Sequence, residues 1–180
     1  DYNETEAGKR EAIAMMVEDL NKKWKSDQQN TNPGRPLIEG IGMQAHYWTA
    51  DLNVSDVEAS IKRFIQAGAD ICVSELDIPI GSYQTYKQNK ELTAENESLQ
   101  ADLYKQLFEV YGKYASHIDR VTFWGKADPQ SWRSEGYPLL FNAAFAPKAA
   151  FGTVMAAAAD INTPGEPGGE DGQGNNGNGN

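Results

Sequence analysis

The sequence predicts an α/β fold in which parallel strands alternate with helices. The chain has 180 residues, a formal net charge of −10 and 39% hydrophobic residues, enough apolar material for one sizeable core. Short apolar runs alternate with segments whose apolar residues recur every three or four positions. Apolar strands separated by helices are typical of a parallel sheet that helices cover.

The first half of the chain predicts two helices and two strands. Residues 6–28 form a helix, and residues 37–44 form a short buried strand. Ser55 to Glu58 reads as a capping box that opens the second helix, Gly68 ends it, and residues 70–78 form the second strand. The residues predicted to face inward on the two helices are Ile13, Met16, Val17, Leu20 and Trp24, then Val57, Ile61, Phe64 and Ile65.

The second half adds two helices and a third strand. Residues 96–118 predict a long helix, and residues 120–124 predict the strand that follows it. Pro147 suits the first turn of a last helix that runs to about residue 161. Residues 1–3 read as the stub of a further strand. The inward stripe of the long helix comprises Leu99, Leu103, Leu107, Val110, Tyr111, Tyr114 and Ile118.

The chain divides into a folded region, residues 1–162, and a terminal segment, residues 163–180. The terminal segment is rich in Gly, Asn and Pro and contains no large apolar side chain. Such a composition cannot bury enough surface to offset the entropy of ordering it, so a flexible linker or tail is expected. The composition slightly favours a tether to another module over a plain disordered terminus.

Composition excludes several classes of partner. Asp and Glu outnumber Lys and Arg by 26 to 16, whereas nucleic acid and anionic membranes attract clustered basic residues. No apolar run approaches the ~20 residues of a bilayer helix, and residues 1–4 lack the order of a signal peptide. The single cysteine, Cys72, leaves no internal disulfide or Cys-rich zinc site, and strand alternation predicts its burial against the helices.

Polar residues at the carboxyl ends of the three strands favour a (β/α)8 barrel over a doubly wound sheet. Active sites of such barrels gather at that rim. Residues 40–44 also lack the third glycine of a dinucleotide-binding fingerprint. Because a complete barrel needs eight strands and ~250 residues, the chain is expected to be part of one. The rim residues are Gln44 and His46, then Glu75 and Asp77, then Trp124, Asp128 and Trp132.

Glu75 and Asp77 are two carboxylates on an otherwise apolar strand. Alternation places them on one face with Ile71 and Val73, where they repel each other and lose hydration unless they are partnered. A helix cap or an arginine partner is the purely structural explanation. The functional one is that one carboxylate reacts while the other orients His46, whose second ring nitrogen addresses Glu75 or a ligand. Metal binding by these three side chains is a weaker alternative, because the ligand set is small.

The tryptophans of the rim favour a carbohydrate site. Trp124 and Trp132 flank a polar loop, and Trp48 lies two residues after His46. Burial in the core is the ordinary explanation for a pair of tryptophans, but a polar loop at a strand end leaves them partly exposed. Flat indole faces bind sugar rings with a large apolar contact area and little loss of entropy.

Five motifs in order resemble the C-terminal half of a family 10 glycoside hydrolase, an endo-β-1,4-xylanase. The resemblance runs from residue 1 to about residue 161. The motifs are DYN at residues 1–3, GIGMQAH at 40–46, SELD at 74–77, FWGKADPQSW at 123–132 and PLLF at 138–141.

The resemblance implies the C-terminal portion, about strands 5–8, of a retaining (β/α)8 barrel, followed by a linker. It implies that Glu75 is the nucleophile and that His46 and Asp77 complete the catalytic set. No metal or organic cofactor is expected. The residues expected to bind substrate are Gln44, Trp124 and Trp132, with Tyr2 and Asn3 at the end of the fifth strand and Trp48 on the rim.

The resemblance also implies that the chain carries one of two catalytic carboxyl groups. In that family the acid/base glutamate ends the fourth strand, upstream of the DYN motif, so the chain is expected to be inactive alone. An N-terminal half, in the same polypeptide or a separate chain, is expected to complete the barrel. The expected substrates are xylan and xylooligosaccharides, and a polymeric substrate implies secretion. The alternatives are a non-catalytic carbohydrate-binding fragment and a metal-dependent sugar isomerase or aldolase.

Overall fold

The computed structural model describes residues 2–85 and 87–162, apart from the side chains of the last three. Asp1 and the predicted tail, residues 163–180, lie outside the described residues. Helices and strands alternate along the described chain. They are α1 (Ala7–Lys25), β1 (Gly40–Met43), α2 (Val54–Gln66), β2 (Asp70–Leu76), α3 (Ala94–Lys113), β3 (Ile118–Phe123) and α4 (Ala149–Asn162).

The three described strands form one parallel sheet in the order β1-β2-β3. Ile41 of β1 lies opposite Ile71 of β2, and Val73 of β2 lies opposite Val121 of β3. Each strand is followed by a helix that returns to the same end of the sheet, which is what parallel pairing requires. The predicted parallel α/β arrangement is confirmed. Tyr2 and Asn3, predicted as a strand stub, carry no strand in the structure.

The hydrophobic core lies between the helices and one face of the sheet. From the sheet it takes apolar residues of β1 and β2, among them Ile41, Ile71 and Val73. Cys72 points the other way: it is half-buried, and the Nε of Arg120 donates to its Sγ at 3.2 Å. The prediction that Cys72 packs against the helices is wrong, because its strand neighbours already occupy that face. The helices contribute Ile13, Val17, Val57, Ile61, Phe64, Leu103, Tyr104 and Leu107.

Two predicted helix stripes are rotated in the structure. On α1, Met16 and Leu20 are exposed and Ala14 is buried instead. On α3, Leu99 is exposed because Gln100 takes the inward position, where its Nε2 donates to the backbone oxygens of Ile78 and Tyr137 at 2.7 Å each. Those carbonyls need a donor inside the protein, so a polar side chain displaces an apolar one from the core-facing position.

Several helix boundaries also differ from the predictions. Asn53 caps α2, since its side chain accepts from the backbone N of Ser55 at 3.1 Å; the predicted capping box starting at Ser55 is therefore wrong. The last helix begins at Ala149 rather than at Pro147, which instead forms an antiparallel bridge with Phe141. Residues 115–117 form a 3₁₀ turn, which ends the third helical segment before β3.

Leucine truncations on α3 test which face is inward. Leu107 is fully buried, so Leu107→Ala is expected to lower the free energy of unfolding by about 2–5 kcal/mol. Leu99→Ala removes the same atoms from an exposed position of the same helix and is expected to cost about 0.5 kcal/mol or less. Urea denaturation of the protein that contains this chain measures both. Equal losses at the two positions would contradict the observed orientation of α3.

Candidate active site

The site is built where the backbones of β1 and β2 stay paired beyond the ends of the strands. The backbone N of Glu75 donates to the oxygen of Gln44 at 3.0 Å, and that of Asp77 donates to the oxygen of Ala45 at 3.2 Å. Ala45 adopts a left-handed φ of 64° and is followed by His46, which forms an isolated parallel bridge with Asp77. A non-glycine residue in that region is strained, and such strain concentrates at functional sites.

The His46 ring lies between the two predicted carboxylates. Its Nε2 is hydrogen-bonded to Glu75 Oε2 at 3.1 Å. Its Nδ1 lies 3.1 Å from Asp77 Oδ1, at ion-pair distance but outside hydrogen-bond geometry. The pairing register shifts between Val73 and Leu76, so the simple alternation that placed Glu75 on the face of Val73 is wrong. This irregularity turns Glu75 towards His46 while Leu76 stays in the core.

Asp77 is fully buried and its carboxylate is held from several sides. The indole Nε1 of Trp132 donates to Oδ2 at 2.8 Å, and the Nη1 of Arg133 donates to Oδ1 at 3.3 Å. A buried carboxylate needs such partners, because desolvation disfavours the charged form. Sequence reasoning missed Arg133, although an arginine directly after a rim tryptophan is the signal from which a cation at this loop could have been predicted.

Aromatic rings surround His46 on its open side. The ring centroid of His46 lies 5.0 Å from that of Trp132, 6.4 Å from that of Trp124 and 6.3 Å from that of Tyr2. Trp124 is 47% exposed and Trp132 is 59% exposed, which contradicts burial of this pair in the core. A cleft of about 340 Å³ is lined by Tyr2, Gln44, His46, Glu75, Trp124 and Trp132.

A second cleft, of about 460 Å³, shares Tyr2 and His46 with the first. Tyr2, Asn3, His46 and Trp48 contribute to its lining. Trp48 is buried, with the Arg133 guanidinium carbon 4.7 Å from its ring centroid, so one indole face is covered by protein. The structure thus brings together all the predicted site residues, with Trp48 in a wall rather than as an open platform.

Asp128, the remaining predicted rim residue, belongs to a buried ion pair. Its Oδ2 lies 3.1 Å from the Nζ of Lys148, and its Oδ1 accepts from the backbone N of Leu139 at 2.8 Å. Burial raises the pKa of Asp128, opposed by the attraction of Lys148, and burial lowers the pKa of Lys148. The pair ties the loop after β3 to the start of α4, so Asp128 has a structural role.

Glu4 is a buried residue that sequence reasoning missed. The hydroxyl of Tyr47 donates to Glu4 Oε1 at 3.1 Å, and the hydroxyl of Ser60 donates to its backbone oxygen at 3.0 Å. These bonds fix the segment of Tyr2 and Asn3 against the site. Burial raises the pKa of Glu4, while its hydrogen bonds oppose the rise. An acid just before a helix reads as a solvated helix-start residue, so no sequence signal marked it.

Within residues 2–85 and 87–162, no group of three or more His, Cys, Asp or Glu side chains is arranged to hold a metal ion. Among the helices of that region, none is both long enough and apolar enough to cross a membrane.

Residues 1–157 match the sequence profile of a known family, described as Glycosyl hydrolase family 10. The chain belongs to glycosyl hydrolase family 10. An endo-1,4-beta-xylanase of Geobacillus stearothermophilus is 34% identical over 165 residues, covering 86% of this chain and 46% of that relative. A beta-1,4-xylanase of Dictyoglomus thermophilum is 36% identical over 163 residues, covering 86% of this chain and 43% of that relative.

Solved family 10 structures share the fold. A family 10 xylanase with a bacterial Ig-like domain, from termite gut, gives a TM-score of 0.80 at 36% identity, over 89% of this chain and 37% of that chain. A xylanase of Thermobacillus composti gives 0.76 at 37% identity, over 87% of this chain and 50% of that chain. The predicted fold class, a portion of a (β/α)8 barrel, is confirmed, and the chain spans about half the length of these family members or less.

The family does not fix where the protein acts. The family 10 xylanase of Thermoanaerobacterium saccharolyticum, 33% identical over 86% of this chain and 42% of that chain, with a TM-score of 0.69, is described as intracellular. Secretion therefore stays a prediction from the size of the expected substrate.

The pH dependence of stability tests the burial of Glu4. A pKa raised above its ordinary value of 4.5 means that the folded state binds the proton more tightly than the unfolded state. Glu4 should therefore make the free energy of unfolding fall as the pH rises from about 4.5, over the range in which the unfolded state has lost the proton and the folded state still holds it. Glu4→Gln is expected to remove this component, so that the variant gains stability relative to the wild type as the pH rises above about 4.5.

Urea denaturation at several pH values measures the difference, with Glu6→Gln at an exposed neighbouring position as the control. A Glu4→Gln protein whose stability changes with pH in parallel with the wild type would show that Glu4 is solvated in the folded state.

Proposed function

We propose that this chain forms the nucleophile-bearing part of a retaining endo-β-1,4-xylanase. The observation that carries the proposal is the environment of Glu75. Its side chain is 23% exposed, its Oε2 is held by His46 Nε2 at 3.1 Å, and it opens into the cleft between Trp124 and Trp132. A carboxylate that is fixed yet accessible from one side is what a nucleophile for glycoside hydrolysis requires.

The lining of the cleft supports a neutral sugar polymer as substrate. Exposed indoles at Trp124 and Trp132 offer apolar faces to sugar rings, while Gln44 and Tyr2 add hydrogen-bonding groups. A formal net charge of −10 disfavours polyanionic substrates. The two relatives named above, from Geobacillus stearothermophilus and Dictyoglomus thermophilum, are called xylanases, which supports xylan among the neutral β-1,4-linked polymers.

In the proposed first step, a carboxylate oxygen of Glu75 attacks the anomeric carbon of the bound xylose unit. The new carbon–oxygen bond forms while the glycosidic bond breaks, through an oxocarbenium-like transition state, and the leaving oxygen takes a proton from a general acid. In the second step, the same acid, now a base, removes a proton from water. The water oxygen bonds to the anomeric carbon and Glu75 departs as a carboxylate, so the configuration is retained.

We propose that the general acid lies in the part of the barrel outside this chain. Asp77 is fully buried behind His46, and Asp128 is buried in its pair with Lys148, so neither can reach a glycosidic oxygen in the cleft. Retention requires a second carboxyl group ~5–5.5 Å from the nucleophile, across the bound sugar. Residues preceding Tyr2 in a complete barrel supply it, and the present chain by itself is expected to release no reducing sugar from xylan.

His46 and Asp77 act as positioning residues in this scheme. The bond from His46 Nε2 restrains the Glu75 carboxylate, and Asp77 restrains the orientation of the ring from its other side. Restraining a nucleophile in its attack geometry lowers the entropic part of the barrier, and a displacement of 1 Å can cost about 10²-fold in rate.

Replacing Glu75 tests the proposal. In the complete enzyme that contains this chain, Glu75→Ala is expected to lower kcat on an aryl xylobioside on the order of 10³-fold or more. Added azide should restore turnover, because it fits the space of the missing carboxylate. Azide then attacks from the side of Glu75, so the product is a glycosyl azide of inverted configuration, which proton NMR identifies. Glu109→Ala, on the exposed surface of α3, is the matched control.

An active Glu75→Ala enzyme without azide would refute the assignment of the nucleophile. A Glu75→Ala protein that binds xylohexaose as tightly as the wild type, where neither protein turns it over, would favour the second candidate, a non-catalytic carbohydrate-binding fragment. The observation that supports this alternative is the exposure of the Trp124 and Trp132 indoles, since binding of a sugar ring requires no catalysis.

A further inference from the structure

Arg133 is a buried cation at the edge of the site, to which the proposed mechanism gives no role. Its guanidinium carbon lies 4.3 Å from the ring centroid of Trp132 and 4.7 Å from that of Trp48, so the group is stacked between two indoles. Its Nη1 donates to Asp77 Oδ1 and to the backbone oxygen of Tyr47, at 3.3 Å each. The side chain is 6% exposed.

These contacts join the three segments that build the site. Tyr47 and Trp48 follow β1, Asp77 follows β2, and Trp132 belongs to the loop after β3. Asp77 Oδ1 lies close to both the Nη1 of Arg133 and the Nδ1 of His46. The guanidinium is therefore linked to Glu75 through two residues, Asp77 and His46, and to the proposed substrate cleft through one, Trp132.

We propose that Arg133 is a positioning residue whose charge and whose stacking act on separate kinetic parameters of the xylanase. Its charge keeps the side chains of Asp77, His46 and Glu75 in place and so supports kcat. Its planar stack holds the Trp132 indole against the bound sugar and so supports a low KM. The inference rests on the proposed function, since both effects are defined on turnover of a xylan-derived substrate.

The charge effect follows from the burial of Asp77. Without the guanidinium, the fully buried Asp77 has no cationic partner apart from the His46 imidazole, which it shares with Glu75. Removing one partner of a buried pair leaves an uncompensated charge, which the structure relieves by moving groups or admitting water. Either response displaces His46, and with it the Glu75 oxygen that attacks the sugar, after substrate has already bound. The chemical step should slow while affinity changes little.

The stacking effect follows from the shape of the guanidinium. A planar, delocalised cation lies flat on indole faces and donates in its plane at the same time, which a lysine ammonium cannot do. Trp132 is 59% exposed, and the guanidinium covers part of its ring while the indole Nε1 donates to Asp77 at the edge. Losing the stack should loosen the ring and weaken sugar binding, by about tenfold if one cation–π contact is lost.

Two substitutions separate the effects in the complete enzyme. Arg133→Met removes both the charge and the planar stack, and is expected to lower kcat about 10²-fold and to raise KM about tenfold. Arg133→Lys keeps a charge near Asp77 without the planar stack, and is expected to raise KM for xylotriose-based substrates about tenfold with kcat within about threefold. Arg63→Met is the matched control, because Arg63 pairs with Glu11 and Glu18 on the outer surface of α1 and α2.

A double variant covers the case in which Arg133→Met fails to fold. Asp77→Asn/Arg133→Met removes both charges, so it should recover folding, yet kcat should stay low because His46 has lost its charged partner. A double variant that is no more stable than Arg133→Met would show that the uncompensated charge of Asp77 does not disturb the site, and would overturn the charge effect. If Arg133→Met and Arg133→Lys change kcat and KM to the same extent, and in parallel with a loss of stability, Arg133 has only a structural role and the proposal is wrong.

Failure of this inference is distinguishable from failure of the proposed function. If the wild-type complete enzyme does not cleave xylan, the proposed function fails. Calorimetry of xylotriose binding then still measures the stacking effect: binding to Arg133→Lys and to Arg133→Met about tenfold weaker than to the wild type supports it, and unchanged binding overturns it.

Discussion

The site depends on one fully buried carboxylate, that of Asp77. Its two oxygens meet groups from each strand end: His46 after β1, and the Trp132 indole and Arg133 guanidinium after β3. An ionised carboxylate is costly to bury unless its oxygens are occupied, so the three segments must stay in register to keep these partners. The position of Glu75 is a consequence, because His46 contacts Asp77 on one side of its ring and is hydrogen-bonded to the Glu75 carboxylate on the other.

The barrel architecture separates stability from chemistry. Ile71, Val73 and Leu76 of β2 anchor the strand in the helix-covered core, while Glu75 departs from that face at an irregularity of the ladder. A rigid parallel sheet thus delivers a polar side chain to its carboxyl end with little freedom of movement. Rigid elements of this kind hold reactive groups more accurately than mobile loops do.

Much of the fold could be predicted from the sequence, because the spacing of apolar residues along the chain indicates each helix and strand. The order of strands and helices, and the buried faces of Val57, Ile61 and Phe64 on α2, follow from spacing alone. The same reasoning predicts that Leu99 faces inward, but Leu99 is exposed. Gln100 takes the inward position because its side chain donates to two backbone carbonyls there. Tertiary hydrogen bonds of this kind leave no periodic trace in the chain.

The site was predictable in part, for a related reason. Rim position alone brought His46, Glu75 and Asp77 together, since carboxyl ends of parallel strands meet at one edge. The burial of Glu4 and Arg133 was not predicted, because a charged residue is expected at the surface until its buried partners are known. For Asp128 the outcome is the opposite. The sequence predicts a residue of the rim, but the structure places its carboxylate in a buried ion pair with Lys148.

Covalent trapping tests the central claim most directly. A 2-deoxy-2-fluoro-xylobioside with a good leaving group forms the glycosyl-enzyme but resolves slowly, because fluorine destabilises the oxocarbenium-like transition state of the second step. Applied to the complete enzyme, it should add one 2-deoxy-2-fluoro-xylobiosyl group to the peptide that spans residues 70–80, with fragmentation assigning the ester to Glu75. An adduct on any other peptide would contradict the account.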